Sequence, residues 1–218
     1  MKPNPIKLIA IVTTALATMS LFTGCATSGY QQADKTGAGI AQFRQEIAKA
    51  KLAVDDTVKS LGQVAVTADT NPREAFKQYS KSLANLESTA AEAKKRAAEV
   101  KAQGQAYFAS WEKQLAQLKN PEIKNLAVQQ KAKLQASFDS IRTAAAPLKA
   151  QFDPWLSDLQ DLQKYLSNDL TISGVDAAKP LFAKTQTEGF EVQKSMDALV
   201  AELNTVAATL TPAHVPAK

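Results

Sequence analysis

The chain has 218 residues, of which 45% are hydrophobic and 22% are charged, and its formal net charge at pH 7 is +5. This length is enough for one domain with a sizeable core, whereas the charge is too small and too mixed for a nucleic-acid-binding protein, which would show a concentrated basic face. Abundant Ala, Lys, Gln, Glu and Leu, with only eight glycines, favour helix over sheet.

Residues 1–24 have the pattern of a secretory signal peptide. Two lysines lie near its start, and the uncharged, mostly apolar run 8–21 is too short to span a bilayer as a mature helix. Two small residues then precede Cys25, the single cysteine of the chain. This arrangement resembles the lipobox of bacterial lipoproteins, whose cysteine sulfur receives a diacylglycerol before cleavage. Phe22 occupies the place where that motif usually has leucine.

Cys25 is the predicted lipidation site, because a secreted chain with one cysteine can form no internal disulfide. An ordinary signal cleavage that leaves a free thiol is the alternative. A diacylglycerol would anchor the protein stably, whereas a single acyl chain would hold it only marginally. Ala26 follows the cysteine instead of Asp, which implies the outer membrane, facing the periplasm, in a cell with two membranes. Residues 25–35 are then the lipidated cysteine and a flexible tether.

Four later segments carry apolar residues at intervals of three and four, which predicts four long helices. These segments are 40–68, 76–118, 123–166 and 182–210. Asn71-Pro72 and Asn120-Pro121 each end one helix and begin the next, since Asn can cap a helix and Pro fits its first position.

The third predicted helix contains two internal prolines, Pro147 and Pro154. Each removes a backbone donor and is expected to kink the helix; the alternative is that the helix breaks in two. The helical coiled-coil domain is expected over residues 36–210. The tail 211–218, which contains two prolines, is expected to be disordered.

Sustained three-and-four spacing predicts an all-α fold, an elongated antiparallel up-down-up-down four-helix bundle or coiled coil. Three chain reversals bring Leu210 level with Gly104 and Ala136, and bring Ile40 to about the same height. Beyond that height only residues 104–136 continue, as a protruding two-helix hairpin. The hairpin tip points back toward the lipid-bearing end of the chain.

This hairpin carries the candidate contact residues. They are Tyr107, Phe108, Trp111, Lys113, Lys119 and Lys124. Its five lysines and two glutamates give 5 − 2 = +3, equal to the charge left after the two signal lysines are removed, +5 − 2 = +3. Aromatic rings with lysines favour contact with a membrane or an envelope protein. The alternative is that Tyr107 and Trp111 fill the space between the two helices and the lysines are solvated. Phe108 lies off the apolar stripe, where an exposed ring would indicate a partner.

The sequence contains no recognisable catalytic or metal-binding set. His214 is the only histidine, so neither a metal cluster nor a nucleophilic triad can be assembled. The aspartates around Trp155 are interpreted as a solvated helix face. We therefore predict no enzyme activity, no cofactor and no metal. Three alanines at positions 90, 93 and 97 are interpreted as allowing close helix approach, with a binding groove as the alternative.

Three segments resemble a family of helical bacterial envelope lipoproteins defined only as a domain of unknown function. The segments are Tyr107-Phe108-x-x-Trp111-Glu112-x-x-Leu115, Phe152-Asp153-Pro154-Trp155-Leu156 and Leu162-x-x-Tyr165-Leu166 leading to Asn168. The resemblance covers about residues 30–210. It implies an envelope lipoprotein of helical coiled-coil type and supplies no catalytic residues.

The predicted function is that of a membrane-anchored periplasmic lipoprotein, a non-enzymatic structural or adaptor module that acts through its bundle and the 104–136 hairpin. The alternative is a carrier or sensor that holds a lipid or another apolar ligand between its helices. The expected partners are the membrane and an envelope protein, not nucleic acid. The oligomeric state stays open, because so regular a stripe is also suited to pairing with a second copy.

Overall fold

Four antiparallel helices joined by short turns make up the described part of the chain, residues 29–210 of the computed structural model. They are α1 (Gly29–Val66), α2 (Pro72–Gln117), α3 (Pro121–Asn168) and α4 (Ile172–Leu210). The predicted signal peptide, the predicted lipidation site Cys25 and the 211–218 tail lie outside the described residues. With 48 residues, α3 is about 72 Å long. The prediction of an elongated all-α bundle is confirmed.

The helix starts predicted at the two Asn-Pro pairs are confirmed. The Asn71 side chain accepts a hydrogen bond from the Glu74 amide at 3.4 Å, with proline at the first position of α2. The Asn120 side chain accepts from the amides of Glu122 at 2.9 Å and Ile123 at 3.3 Å. Each cap satisfies amides that the first helical turn leaves unpaired.

The helices form a square in which each contacts its two neighbours. Within residues 29–210, α1 packs on α2 and α4, α3 packs on the same two helices, and neither diagonal pair is in backbone contact. The apolar stripes of all four helices meet along the axis of this square. This is the up-down-up-down arrangement expected from the sequence.

Two large polar aromatic residues are buried in this core with their polar atoms satisfied. The Tyr79 hydroxyl donates to the Leu159 carbonyl at 2.6 Å, and the Trp155 indole nitrogen donates to the Thr185 carbonyl at 2.8 Å. Because a buried polar group without a partner is costly, these bonds link α2 to α3 and α3 to α4 at defined heights.

The observed register agrees with the predicted one. Gly39 on α1 faces Gln103 on α2, and Gly104 faces Phe138 on α3. Leu210, the last residue of α4, lies against Gly37. The fourth helix therefore ends near the height at which the 104–136 hairpin continues.

The first helix begins at Gly29, earlier than the expected start of the helical domain at residue 36. Gly29 lies beside Gln114, so α1 accompanies the hairpin as a third helix up to that point. The apolar spacing does not predict this extension, because the residue that is buried there is polar. Thr36 is 1% exposed, and its hydroxyl donates to the Gln32 carbonyl at 2.7 Å.

The two internal prolines leave α3 continuous, so the helix does not break in two. Pro147 and Pro154 both lie on the exposed face, as does Pro180 inside α4. The carbonyl one turn before each proline is therefore able to bond with water. Within the described residues, no helix combines the length and the apolar character that crossing a bilayer requires.

Candidate functional sites at the hairpin tip and between α2 and α3

The aromatic residues of the hairpin form a packed cluster. Tyr107 is buried, and its ring centre lies 5.6 Å from that of Trp111 and 5.5 Å from that of Phe108. Burial raises the pKa of the Tyr107 hydroxyl. Trp111 is half-buried against the core. Both rings therefore occupy the space between the helices and present little surface to a partner.

Phe108 differs from the expectation of an exposed ring. It is half-buried and packs edge-on against Phe138 of α3, with ring centres 5.3 Å apart. Gly104 makes room for this contact, since a Cβ at that position would lie 2.8 Å from the Phe138 ring. Packing between the two helices of the hairpin therefore explains the position of Phe108, and no partner is needed to cover it.

The three candidate lysines Lys113, Lys119 and Lys124 are all exposed. None of them forms an ion pair within residues 29–210, whereas Lys131 pairs with Glu112 across the hairpin. Their charges are therefore available to anions in the surroundings. They are the part of the predicted contact set that the structure leaves open to solvent.

Apolar residues at the end of the hairpin are exposed, which the apolar spacing of the sequence does not predict. Ile123 and Leu126 are 53% and 58% exposed, and Leu118 beside them is half-buried. We call these three residues the tip patch. The apolar spacing had assigned Ile123 to the interior, but α2 ends at Gln117, so no side chain of α2 covers it. Lys119 and Lys124 lie between the residues of the tip patch in sequence.

The tip patch lies at the same end of the bundle as the start of α1. Gly29 is level with Gln114, and the chain reversal at Lys119 is five residues further along, which corresponds to about 8 Å. A segment that precedes Gly29 is therefore connected to the bundle close to its apolar, lysine-containing tip.

A second candidate site is a groove of about 600 Å³ between α2 and α3. Its floor is made by α1 and α4. The apolar lining residues are Phe43, Ile47, Ala50, Ala90, Ala93, Ala97, Ala145, Ala146, Leu148, Phe152, Met196 and Leu199. We call this site the α2–α3 groove. Its volume is in the range of small-molecule pockets.

The groove exists because small side chains face each other where large ones hold the helices apart. Ala93 and Ala97 on α2 and Ala145 on α3 line the groove. Two rings of α3 contact α2 as well, since Phe138 packs against Phe108 and Phe152 lies beneath Lys94. Of the four adjacent helix pairs, α2 and α3 are the least closely packed. The alanines therefore allow close approach toward α1, as expected, but leave a gap toward α3.

Charged residues line the rim of the groove. Lys94 crosses from α2 to α3, where it pairs with Asp153 at 2.8 Å and lies 5.7 Å from the centre of the Phe152 ring. Arg142 pairs with Asp139 at 3.2 Å. Lys149 forms no ion pair or hydrogen bond with any described residue, and its side chain is exposed. The rim is therefore cationic, with one charge not neutralised.

The aspartates considered for acid-base chemistry form ion pairs on the surface. Asp158 accepts from Lys184 at 2.7 Å, and Asp161 from Lys164 at 2.9 Å. The hydrogen bond to Asp158 is the main reason that the pKa of Lys184 is raised. Among residues 29–210, no three His, Cys, Asp or Glu side chains are grouped to hold a metal.

Together the fold and these surfaces define an all-α four-helix bundle with an apolar tip and an apolar groove. The chain belongs to the family described as protein of unknown function (DUF2959), which matches it over residues 22–210. The expected membership of a family of unknown function is thereby confirmed. None of the curated proteins and none of the solved structures matches the chain.

Proposed function

We propose that the protein is a lipid-anchored, non-enzymatic structural or adaptor module of a bacterial envelope. In this proposal Cys25 carries the anchor in the outer membrane, the hairpin end of the bundle rests on that membrane, and the bundle extends into the periplasm toward other envelope components. The observation that carries the proposal is the start of α1 at Gly29, beside the hairpin.

The distance between anchor and bundle supports a membrane-facing tip. From Cys25 to Gly29 there are four Cα steps, which span at most about 14 Å. The tip lies about 8 Å beyond the level of Gly29. A bundle held by so short a connection therefore brings its hairpin tip within reach of the bilayer. The family match also begins at residue 22, so it includes the cysteine.

The chemistry of the tip suits a membrane interface. Ile123 and Leu126 offer apolar surface, while Lys113, Lys119 and Lys124 are exposed and without ion pairs among the described residues. An apolar surface that also carries lysines partitions into the headgroup region, and the lysines are attracted to anionic lipids. This surface adds a second, reversible contact to the covalent anchor.

The mass of the mature protein tests the anchor. Purified from membranes, the protein is expected to lack residues 1–24 and to carry acyl groups on Cys25, and a Cys25→Ser variant is expected to carry none. A mature protein with a free thiol would overturn lipidation.

Fluorescence quenching tests the orientation. Because lipidation occupies the only native cysteine, a new cysteine can be labelled selectively in the full-length lipoprotein. A fluorophore at Leu126→Cys is expected to be quenched by nitroxide-labelled lipids in anionic vesicles. A fluorophore at Val66→Cys, also exposed but about 55 Å along α1 from Gly29, serves as the control. Equal quenching at both positions, or none at Leu126, would refute the membrane-facing tip.

A further inference from the structure

We infer that the α2–α3 groove is a binding site for a free long-chain fatty acid. The chain of the ligand would lie against the alanines of α2 and α3, and its carboxylate would pair with Lys149 at the rim. This inference concerns the side of the bundle and does not depend on the anchor or on the tip patch.

The shape of the groove fits one hydrocarbon chain. The part of α3 that lines it runs from Arg142 to Asp153, a length of about 17 Å. The walls at Ala93 and Ala97 have no side-chain bulk beyond Cβ, which leaves an elongated channel with a mostly apolar lining.

The charge of the rim fits a single carboxylate. Lys94 is neutralised by Asp153, and Arg142 by Asp139. Among the charged residues that line the described groove, Lys149 is the one without a partner. One unpaired cation beside an apolar channel matches one negative charge at the end of an apolar chain. A phosphomonoester, with up to two charges, would match this rim less well.

The position of the groove separates it from the bilayer contact. Ile47, on the floor of the groove, lies about 27 Å along α1 from Gly29. A probe bound in the groove is therefore distinguishable from a probe dissolved in the membrane near the hairpin. A negative result for the groove would therefore not count against the membrane-facing tip, and a negative result for the tip would not count against the groove.

Photolabelling in membrane vesicles that contain the full-length protein tests this site. The probe is hexadecanoic acid with a diazirine in its chain, and the labelled peptides are identified by mass spectrometry. Labelling is expected within 90–97 and 142–153, separate from any labelling near the tip. The corresponding photoreactive alcohol, which has no charge, is expected to label these segments less.

Three variants complete the test. Ala93→Phe is expected to fill the groove and abolish its labelling, while Lys149→Glu is expected to lower it about fivefold through loss of the ion pair. Lys81→Glu, an exposed and unpaired lysine of α2 away from the groove, is expected to leave labelling unchanged. If Ala93→Phe fails to fold, the comparison of groove labelling between Lys149→Glu and Lys81→Glu still tests the inference. Labelling confined to the hairpin, or equal groove labelling in these two lysine variants, would overturn the inference.

Discussion

The hydroxyl of Tyr79 offers a direct test of how the bundle is fixed in register. Tyr79 is fully buried, and its hydroxyl donates to the Leu159 carbonyl at 2.6 Å. Tyr79→Phe keeps the ring in place and removes only this bond between α2 and α3. We expect the variant to fold into the same bundle with a lower free energy of unfolding.

The size of the loss follows from what the substitution leaves behind. Leu159 lies inside α3, so its carbonyl keeps its own helical hydrogen bond and is not left unsatisfied. The cost is therefore that of one net hydrogen bond, about 1 kcal/mol. For a domain of this size, that corresponds to a fall in Tm of about 3 °C. Thermal unfolding followed by circular dichroism at neutral pH measures it.

The contribution of the same hydroxyl to the free energy of unfolding is also expected to depend on pH. Burial raises the pKa of Tyr79 above its ordinary value, and the unfolded chain titrates near pH 10. Below that pH the stabilising contribution is fully present. As the pH rises above about 10, the unfolded state loses the proton first and the contribution declines. The difference in Tm between the wild type and Tyr79→Phe is therefore expected to narrow.

Tyr107→Phe is the matched control. The Tyr107 ring is also buried, but its hydroxyl forms no hydrogen bond within residues 29–210. Its removal is expected to change the free energy of unfolding by less than about 0.5 kcal/mol. Equal losses in the two variants, or no loss for Tyr79→Phe, would show that this hydrogen bond does not stabilise the bundle.

Two further predictions concern a pair of helical glycines and the cap of α3. Gly62→Ala is expected to raise the Tm, because a Cβ there meets nothing within 4 Å and Ala favours helix by about 1 kcal/mol. Gly104→Ala is expected to give no such gain, because its Cβ would lie 2.8 Å from the Phe138 ring; similar increases in both variants would contradict the packing. Asn120→Ala, which removes the cap on the Ile123 amide, is expected to cost about 1 kcal/mol locally. Hydrogen exchange at the start of α3 would then be faster, and unchanged exchange would refute the role of the cap.

Much of the fold could be predicted because it depends on local chemistry. The Asn-Pro pairs at 71 and 120 carry both a side-chain acceptor and a fixed backbone angle, so each marks a helix start where a helical apolar spacing follows it. The apolar spacing then determines which face of each helix is buried. Chain reversals at known positions determine the register of antiparallel neighbours, as Gly104 opposite Phe138 shows.

The sites were harder to predict because they depend on what each residue faces. Phe108 lies off the stripe of its own helix, yet Phe138 of the next helix covers it. Ile123 lies on the stripe, yet α2 ends before it can be covered. Thr36 is polar, yet it is buried because its hydroxyl bonds within its own helix. In all three cases the exposure of the side chain differs from what the apolar stripe alone predicts, because it depends on the neighbouring helix or on a bond within the helix.

The sequence by itself determined four helices, their buried faces and their order, because periodicity and capping act within one helix. Only the tertiary structure decided the width of the gap between α2 and α3 and the exposure of the tip patch. The spacing of two helices depends on the largest side chains between them, here Phe138, which contacts Phe108, and Phe152, which contacts Lys94. Whether small neighbours such as Ala93 then close a gap or line a groove depends on those distant contacts.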